Sequence, residues 1–250
     1  MSTFAGKVAL VTGGSSGIGR ATAIKFGERG ARLTVAARRE KEGKETVEMI
    51  KKAGGEAMFV QTDVRIASQV EKMVQQTIQK YGRLDIAFNN AGVGGIYARL
   101  IRISEETFDE LVDTNFKGVW LSMKYEIPVM LEQGGGVIIN NASIAGMATA
   151  ERLSIYSGSK HAVVAISNAA AREYGRDNIR AVAICPGWIK TRMTEELRAR
   201  KDADALLYDN VPLKRLGEPE EVAEMVIWLA SDAASYVNGG AFIISGGMNV

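Results

Sequence analysis

The sequence contains one cysteine, one histidine and four prolines in 250 residues. A lone thiol, Cys185, forms no intrachain disulfide, and a chain this long without cross-links suits a reducing compartment, so the cytoplasm is the expected location. A lone imidazole, His161, has no cysteine or second histidine at ligand spacing, so no catalytic metal is expected. Neither sign of charge dominates: 31 Lys and Arg are interspersed with 29 Asp and Glu, which leaves no basic stripe for nucleic acid. Long apolar runs are missing too. Met225 to Ala230 falls far short of the roughly 20 residues of a membrane span, and Met1 to Lys7 has no charged start followed by an apolar stretch. Neither a membrane partner nor a secretory leader is expected.

What the chain does have is a 46% apolar content arranged in short runs. Val8 to Val11, Leu33 to Ala36, Met58 to Val60, Ile86 to Phe88, Val137 to Ile139, Ala181 to Cys185 and Phe242 to Ile244 are apolar almost throughout, as in strands covered on both faces. Stretches with helical spacing separate them. From Ser104 to Val119, for example, Phe108, Leu111, Val112, Asn115, Phe116 and Val119 recur three or four apart behind a Ser104 cap, predicting one amphipathic helix. The alternation predicts an α/β fold, a Rossmann-type doubly wound parallel sheet of about seven strands with helices on both faces. Gly54 with Gly55, Gly134 to Gly136 and Pro186 with Gly187 are tight-turn signals, not linkers, so residues 1–250 are expected to form a single dinucleotide-binding and catalytic domain. Residues 189–216 hold no predicted strand and are expected to cover the substrate.

In such a sheet, ligands bind beyond the carboxyl ends of the strands. Immediately after the first strand stands Thr12-Gly13-Gly14-Ser15-Ser16-Gly17-Ile18-Gly19, leading into a helical stretch. Glycines let the backbone approach a pyrophosphate, and the helix start offers N–H groups and a positive dipole end to it. At the end of the second strand, where an acidic residue would accept from a ribose, the sequence reads Ala36-Ala37-Arg38-Arg39. Guanidinium groups there fit a 2′-phosphate, so NADP(H) is the preferred dinucleotide and NAD(H) the alternative. Asp63 and Val64 after the third strand, and Asn90, Ala91 and Gly92 after the fourth, occupy the same edge and are read as adenine and ribose contacts.

With Asn115, Ser143, Tyr156-Ser157-Gly158-Ser159-Lys160 and Pro186-Gly187, these motifs resemble the short-chain dehydrogenase/reductase family along essentially the whole chain. The chemistry is coherent without the resemblance. Hydride transfer to a ketone leaves an alkoxide that needs a proton, and Tyr156 and Lys160 share one helical face, so the ammonium is expected to draw the phenol below its ordinary pKa of about 10. The resemblance implies more: Lys160 also bonds the nicotinamide ribose, Ser143 steadies the substrate oxygen, Asn115 holds a relay water, and the Ile189 backbone and Thr191 side chain bond the carboxamide. It implies a homotetramer. It also places the substrate pocket at Gly94, Gly95, Ile96, Glu151 to Leu153, Trp188, Met193, Leu197 and Tyr208. Ser245, Val182 and Ala142 depart from the usual pattern without touching a catalytic position.

The resulting expectation is an NADP-dependent enzyme that interconverts a small-molecule ketone and secondary alcohol, with Tyr156 as general acid and base. Alternatives are a 3-oxoacyl thioester reductase, a sugar dehydrogenase, or a catalytically silent NADP(H)-binding protein. The pocket residues suggest a partly apolar site, while Arg152 or Lys190 could equally meet an anion.

Overall fold

The computed structural model describes residues 4–199 and 209–248. Seven strands form one parallel sheet: β1 (Val8–Thr12), β2 (Arg32–Ala37), β3 (Glu56–Gln61), β4 (Ile86–Asn89), β5 (Gly136–Asn141), β6 (Ile179–Pro186) and β7 (Ala241–Ile244). Each expected apolar run lies inside one of them. The helices are α1 (Gly17–Glu28), α2 (Glu40–Lys52), α3 (Ala67–Tyr81), α4 (Glu105–Val112), α5 (Gly118–Glu132), α6 (Ser154–Tyr174), the short α7 (Glu195–Arg198) and α8 (Pro219–Ala230).

Successive strand residues face opposite sides, so the sheet carries two cores. Ala9 and Val11 share one with Phe26 of α1, Ile50 of α2 and Val226 of α8. Leu10 shares the other with Met73 of α3, Leu121 of α5 and Val163 of α6. This double covering is why the strands lack polar alternation.

The strand order is β3-β2-β1-β4-β5-β6-β7. The chain winds outward from β1 to β3, then returns to lay β4 against the other side of β1. Connections leave these two neighbours in opposite directions, which opens a crevice beyond their carboxyl ends. The loops Thr12 to Gly17 and Asn89 to Val93 lie against each other at its edge.

One expected element is built differently. The predicted helix from Ser104 to Val119 is α4, a wide π-type turn at Asp113–Lys117, and the start of α5. Ser104 caps α4 as expected, accepting from the Thr107 N–H at 3.3 Å. The backbone stays right-handed through the turn, with φ of −63° at Asp113 and −60° at Gly118, so the apolar spacing continues. The extra residue per turn re-aims Asn115 without ending the helical path. In the expected covering segment, Ile189 pairs with Gly217 by one isolated bridge, followed by a tight turn at Arg192–Thr194 and α7. Residues 200–208, Tyr208 among them, lie outside the described residues.

Helix α1 packs so closely on the loop after β1 that a Cβ at Gly19 would stand 2.5 Å from the Gly13 carbonyl oxygen. Helix propensity alone favours alanine over glycine by about 1 kcal/mol. Here Gly19→Ala is expected instead to lower stability by about 1–3 kcal/mol, the usual cost of overpacking, read as a drop in the urea midpoint. A rise in the midpoint would contradict the packing.

Candidate active site

A cavity of about 1460 Å³ runs along the carboxyl ends of the strands. Its walls carry Gly13, Ser15, Ser16, Gly17 and Ile18 after β1, Arg38 and Arg39 after β2, and Asp63 and Val64 after β3. Asn90, Ala91 and Gly92 follow from β4, and Pro186, Gly187, Ile189 and Thr191 from β6, together with Ser143, Tyr156 and Lys160. Gly19 stands behind the wall as a packing position. Gly13 and Gly17 hold φ of +66° and +53°, conformations that press a Cβ on the following carbonyl. Ser16, at the N-cap of α1, bonds none of the first helical N–H groups with its side chain, so the positive end of α1 faces the cavity. Close backbone approach and undiminished donors fit a pyrophosphate.

Beside that loop the two arginines behave differently. The Arg39 guanidinium donates to Ser15 Oγ at 3.0 Å and Ser16 Oγ at 2.7 Å, and pairs with Glu42 at 3.1 Å. Arg38 accepts through its backbone carbonyl from Gln61 Nε2 at 3.1 Å, and its side chain lines the cavity. No carboxylate stands at the end of β2. The Asp63 carboxylate is held below its ordinary pKa, first by hydrogen bonds from the Arg65 side chain, the shortest at 2.6 Å.

A ladder of hydrogen bonds ties the strand ends together. The Thr12 hydroxyl accepts from the N–H groups of Asn90 and Ala91 at 3.0 and 3.1 Å. Asn90 Nδ2 returns bonds to the carbonyls of Thr12 and Gly13 at 3.1 and 3.3 Å, while its Oδ1 accepts from Asn141 Nδ2 at 2.9 Å. The Asn141 carbonyl accepts from Lys160 Nζ at 2.8 Å. The Asn90 side chain is thus spent on bracing the glycine loop. Asn115 is fully buried and clasps the backbone of Val93, accepting its N–H at 2.8 Å and donating to its carbonyl at 3.0 Å. Its neighbour Thr114, not Asn115, reaches the cavity wall.

Tyr156 and Lys160 sit in the first two turns of α6, and Ser143 follows β5, where its Oγ accepts from the Ala145 N–H at 3.1 Å. The expected lowering of the phenol is overturned. Burial pushes Tyr156 above its ordinary 10, and a hydrogen bond from Ser143 opposes this without reversing it. Lys160, 5.8 Å from the centre of the Tyr156 ring, is itself pushed down to about 8 by burial. Removing water penalises tyrosinate and ammonium alike, and it is the largest influence on both groups. The Cys185 thiol beneath them is fully buried and pushed up to about 11 by desolvation, so it stays protonated.

Gly94, Gly95, Ile96, Leu153, Trp188, Met193 and Leu197 line the same cavity, as expected for a substrate end. Tyr97, Ala148, Thr149, Arg192, Asn210 and Met248 also line it, and none of them is singled out by the sequence. Asn210 and Met248 are brought there only by the tertiary fold, so no local signal marks them. Asn141, which ends β5 at the binding edge, is not marked by the sequence, and Thr12 reads there only as the start of the glycine loop. The two cations weighed as anion contacts are turned elsewhere: Arg152 stacks on Tyr97 at 5.6 Å and pairs with Glu151, and Lys190 pairs with Glu218. His161 Nδ1 contacts the Ser157 carbonyl at 2.9 Å. Among the described residues, no three His, Cys, Asp or Glu side chains gather as a metal site, and no helix is long and apolar enough to cross a membrane.

Comparison with known proteins agrees with this architecture. The family model described as enoyl-(acyl carrier protein) reductase matches residues 13–249. An uncharacterized oxidoreductase of Thermotoga maritima is 41% identical over 251 residues, covering 98% of each chain. The crystal structure of levodione reductase superposes with a TM-score of 0.94 at 36% identity, covering 98% of each chain. A 3-ketoacyl-(acyl-carrier-protein) reductase from Brucella melitensis, solved with NADH, gives a TM-score of 0.92 at 30% identity over 99% of this chain and 100% of that one. The fold, the glycine loop at the sheet's reversal point and these matches together place the chain in the short-chain dehydrogenase/reductase family of oxidoreductases.

Proposed function

We propose that this oxidoreductase transfers hydride between NADP(H) and an uncharged ketone or secondary alcohol, with Tyr156 as general acid and base. The observation that carries the reading is the meeting of Ser143, Tyr156 and Lys160 in one cavity with the glycine loop of α1. When bound, the dinucleotide supplies or accepts the hydride. The chain's own residues handle the charge that develops on the substrate oxygen. Tyr156 gives that oxygen its proton, Ser143 donates a hydrogen bond to it, and the Lys160 ammonium stabilises the tyrosinate left behind. Lys160 also reaches the nicotinamide ribose in this reading, and Asn115 shapes the proton relay by holding the Val93 loop.

Arg38 and Arg39 support NADP(H) over NAD(H). Arg39 is already anchored on Ser15 and Ser16, and Arg38 lines the cavity with no carboxylate at the end of β2 itself, the nearby Asp63 being paired with Arg65. The wall of Ile96, Ala148, Leu153, Trp188, Met193 and Met248 supports an uncharged substrate, with Arg152 and Lys190 paired elsewhere and Arg192, the further cation lining the cavity, beside the Glu42 charge. That arrangement favours the ketone over the acyl thioester and sugar alternatives. The proposal takes residues 1–250 as one catalytic unit, covered near 189–216 and assembled as a cytoplasmic homotetramer.

Three outcomes test it. Tyr156→Phe is expected to lower kcat with NADPH and a cyclic ketone by about 10²-fold to 10⁴-fold, the contribution of a general acid, and an unchanged kcat would refute the assignment. Replacing Arg38, which braces no part of the glycine loop, by alanine should weaken NADPH binding by about 10-fold to 100-fold, the worth of charge-assisted bonds, and leave NADH nearly untouched. Equal losses for both dinucleotides would remove the 2′-phosphate reading. With Lys160 at about 8 and Tyr156 above 10, ketone reduction at saturating NADPH should hold steady at neutral pH and fall as pH rises through about 8. Lys160→Arg, which keeps its charge, should lose that fall; its persistence in the variant would assign it to another group.

A further inference from the structure

Beneath the strand ends lies a buried polar cluster that the mechanism above does not use. Glu126 of α5 is fully buried, and its Oε2 accepts from Asn89 Nδ2 at 3.0 Å. The same Asn89 amide group donates to Asn140 Oδ1 at 3.0 Å, across the β4–β5 register in which the two residues are paired. Asn140 Nδ2 donates to Ser167 Oγ of α6 at 2.9 Å and to Met123 Sδ at 3.3 Å, and Ser167 donates to the Val163 carbonyl at 2.7 Å. Every polar hydrogen of these side chains is then in use. Two buried oxygens still have no donor, Asn89 Oδ1 and Glu126 Oε1.

One proton on Glu126 Oε1 would satisfy both if shared with Asn89 Oδ1. A carboxylic acid pairs side by side with a carboxamide, accepting its N–H and donating O–H to its oxygen. An ionised Glu126 would instead leave both oxygens unsatisfied and a bare charge in the core. Burial pushes this carboxyl up to about 7, only the Asn89 bond opposes it, and among the described residues no charged group of α3, α5, α6 or the sheet acts on it.

The cluster sits one residue upstream of the site on two strands. Asn89 precedes Asn90, which grips Thr12 and Gly13, and Asn140 precedes Asn141, which holds Lys160. We propose that Glu126 is a positioning residue that keeps its proton in the native protein at mildly acidic pH, and that its acid–amide pair with Asn89 fixes the ends of β4 and β5 that carry the dinucleotide wall and the Lys160 anchor. The positioning half rests on the cofactor site proposed above; the protonation half does not.

The test compares the full-length wild type with Glu126→Gln, whose amide reproduces both bonds without titrating, and Glu126→Met, which makes neither. In infrared difference spectra near pH 6, where carboxylates of ordinary pKa, about 4, are ionised, the wild type should show a protonated-acid carbonyl band that Glu126→Gln lacks. Without dinucleotide, the urea midpoint of the wild type relative to Glu126→Gln should be highest below about 4.5 and decline as pH rises through about 7, because the folded form holds the extra proton in that window. NADPH affinity should fall over the same rise in pH in the wild type alone. At pH 6 it should be within about twofold of wild type in Glu126→Gln and about tenfold weaker in Glu126→Met, where Asn89 loses its partner. No acid band, an equal pH slope in Glu126→Gln, or undiminished binding in Glu126→Met would each overturn the proposal. A wild type that binds no dinucleotide would remove the cofactor reading and the positioning role together, while the band and the slope still decide where the proton is.

Discussion

The hydrogen-bond ladder from Thr12 through Asn90 and Asn141 to Lys160 joins three strands and one helix that are remote in sequence. Its first rung fixes the glycine loop against β4, and its last sets the height of Lys160 beside Tyr156. Backbone groups at the ends of parallel strands have no ladder partner of their own, so they would otherwise need water. Here polar side chains satisfy them, and the satisfied ends become a rigid wall on which the phosphate loop and the proton-handling residues are mounted. The glycine loop and the Tyr156–Lys160 pair are thereby held in a fixed relation.

That rigidity comes with dryness, and dryness sets the chemistry. Lys160 is only 4% exposed and its pKa falls to about 8, while the Tyr156 phenol rises and Cys185 stays a thiol. A phenol that keeps its proton at neutral pH is suited to giving it up to a developing alkoxide. The reverse reaction needs tyrosinate and gains from alkaline conditions. A buried ammonium beside the phenol costs desolvation energy in the empty site, and its use lies in the charge that appears during reaction.

Much of this was legible in the sequence because its causes are local. Apolar runs bounded by glycine and asparagine mark strands covered on both faces, and a glycine cluster directly after the first run marks a backbone that must approach a ligand. Other features depend on the fold as a whole. The π-type turn at Asp113–Lys117 preserves the spacing of Phe108, Leu111 and Val119, so periodicity alone predicts a continuous helix. Asn90 reads as a ligand contact, and nothing local shows that its amide also grips Thr12 and Gly13. Met248 and Asn210 enter the cavity from positions no spacing rule connects to it. The direction of the Tyr156 shift was misjudged because a neighbouring ammonium is visible in sequence, whereas loss of solvent is not.

A crystal structure with NADP⁺ and a bound cyclic alcohol would test the account most directly. It should show the pyrophosphate at the N-terminus of α1, the 2′-phosphate between Arg38 and Arg39, and the alcohol oxygen within hydrogen-bonding distance of both Tyr156 and Ser143. A 2′-phosphate held away from both arginines, or an alcohol oxygen out of reach of the phenol, would contradict it.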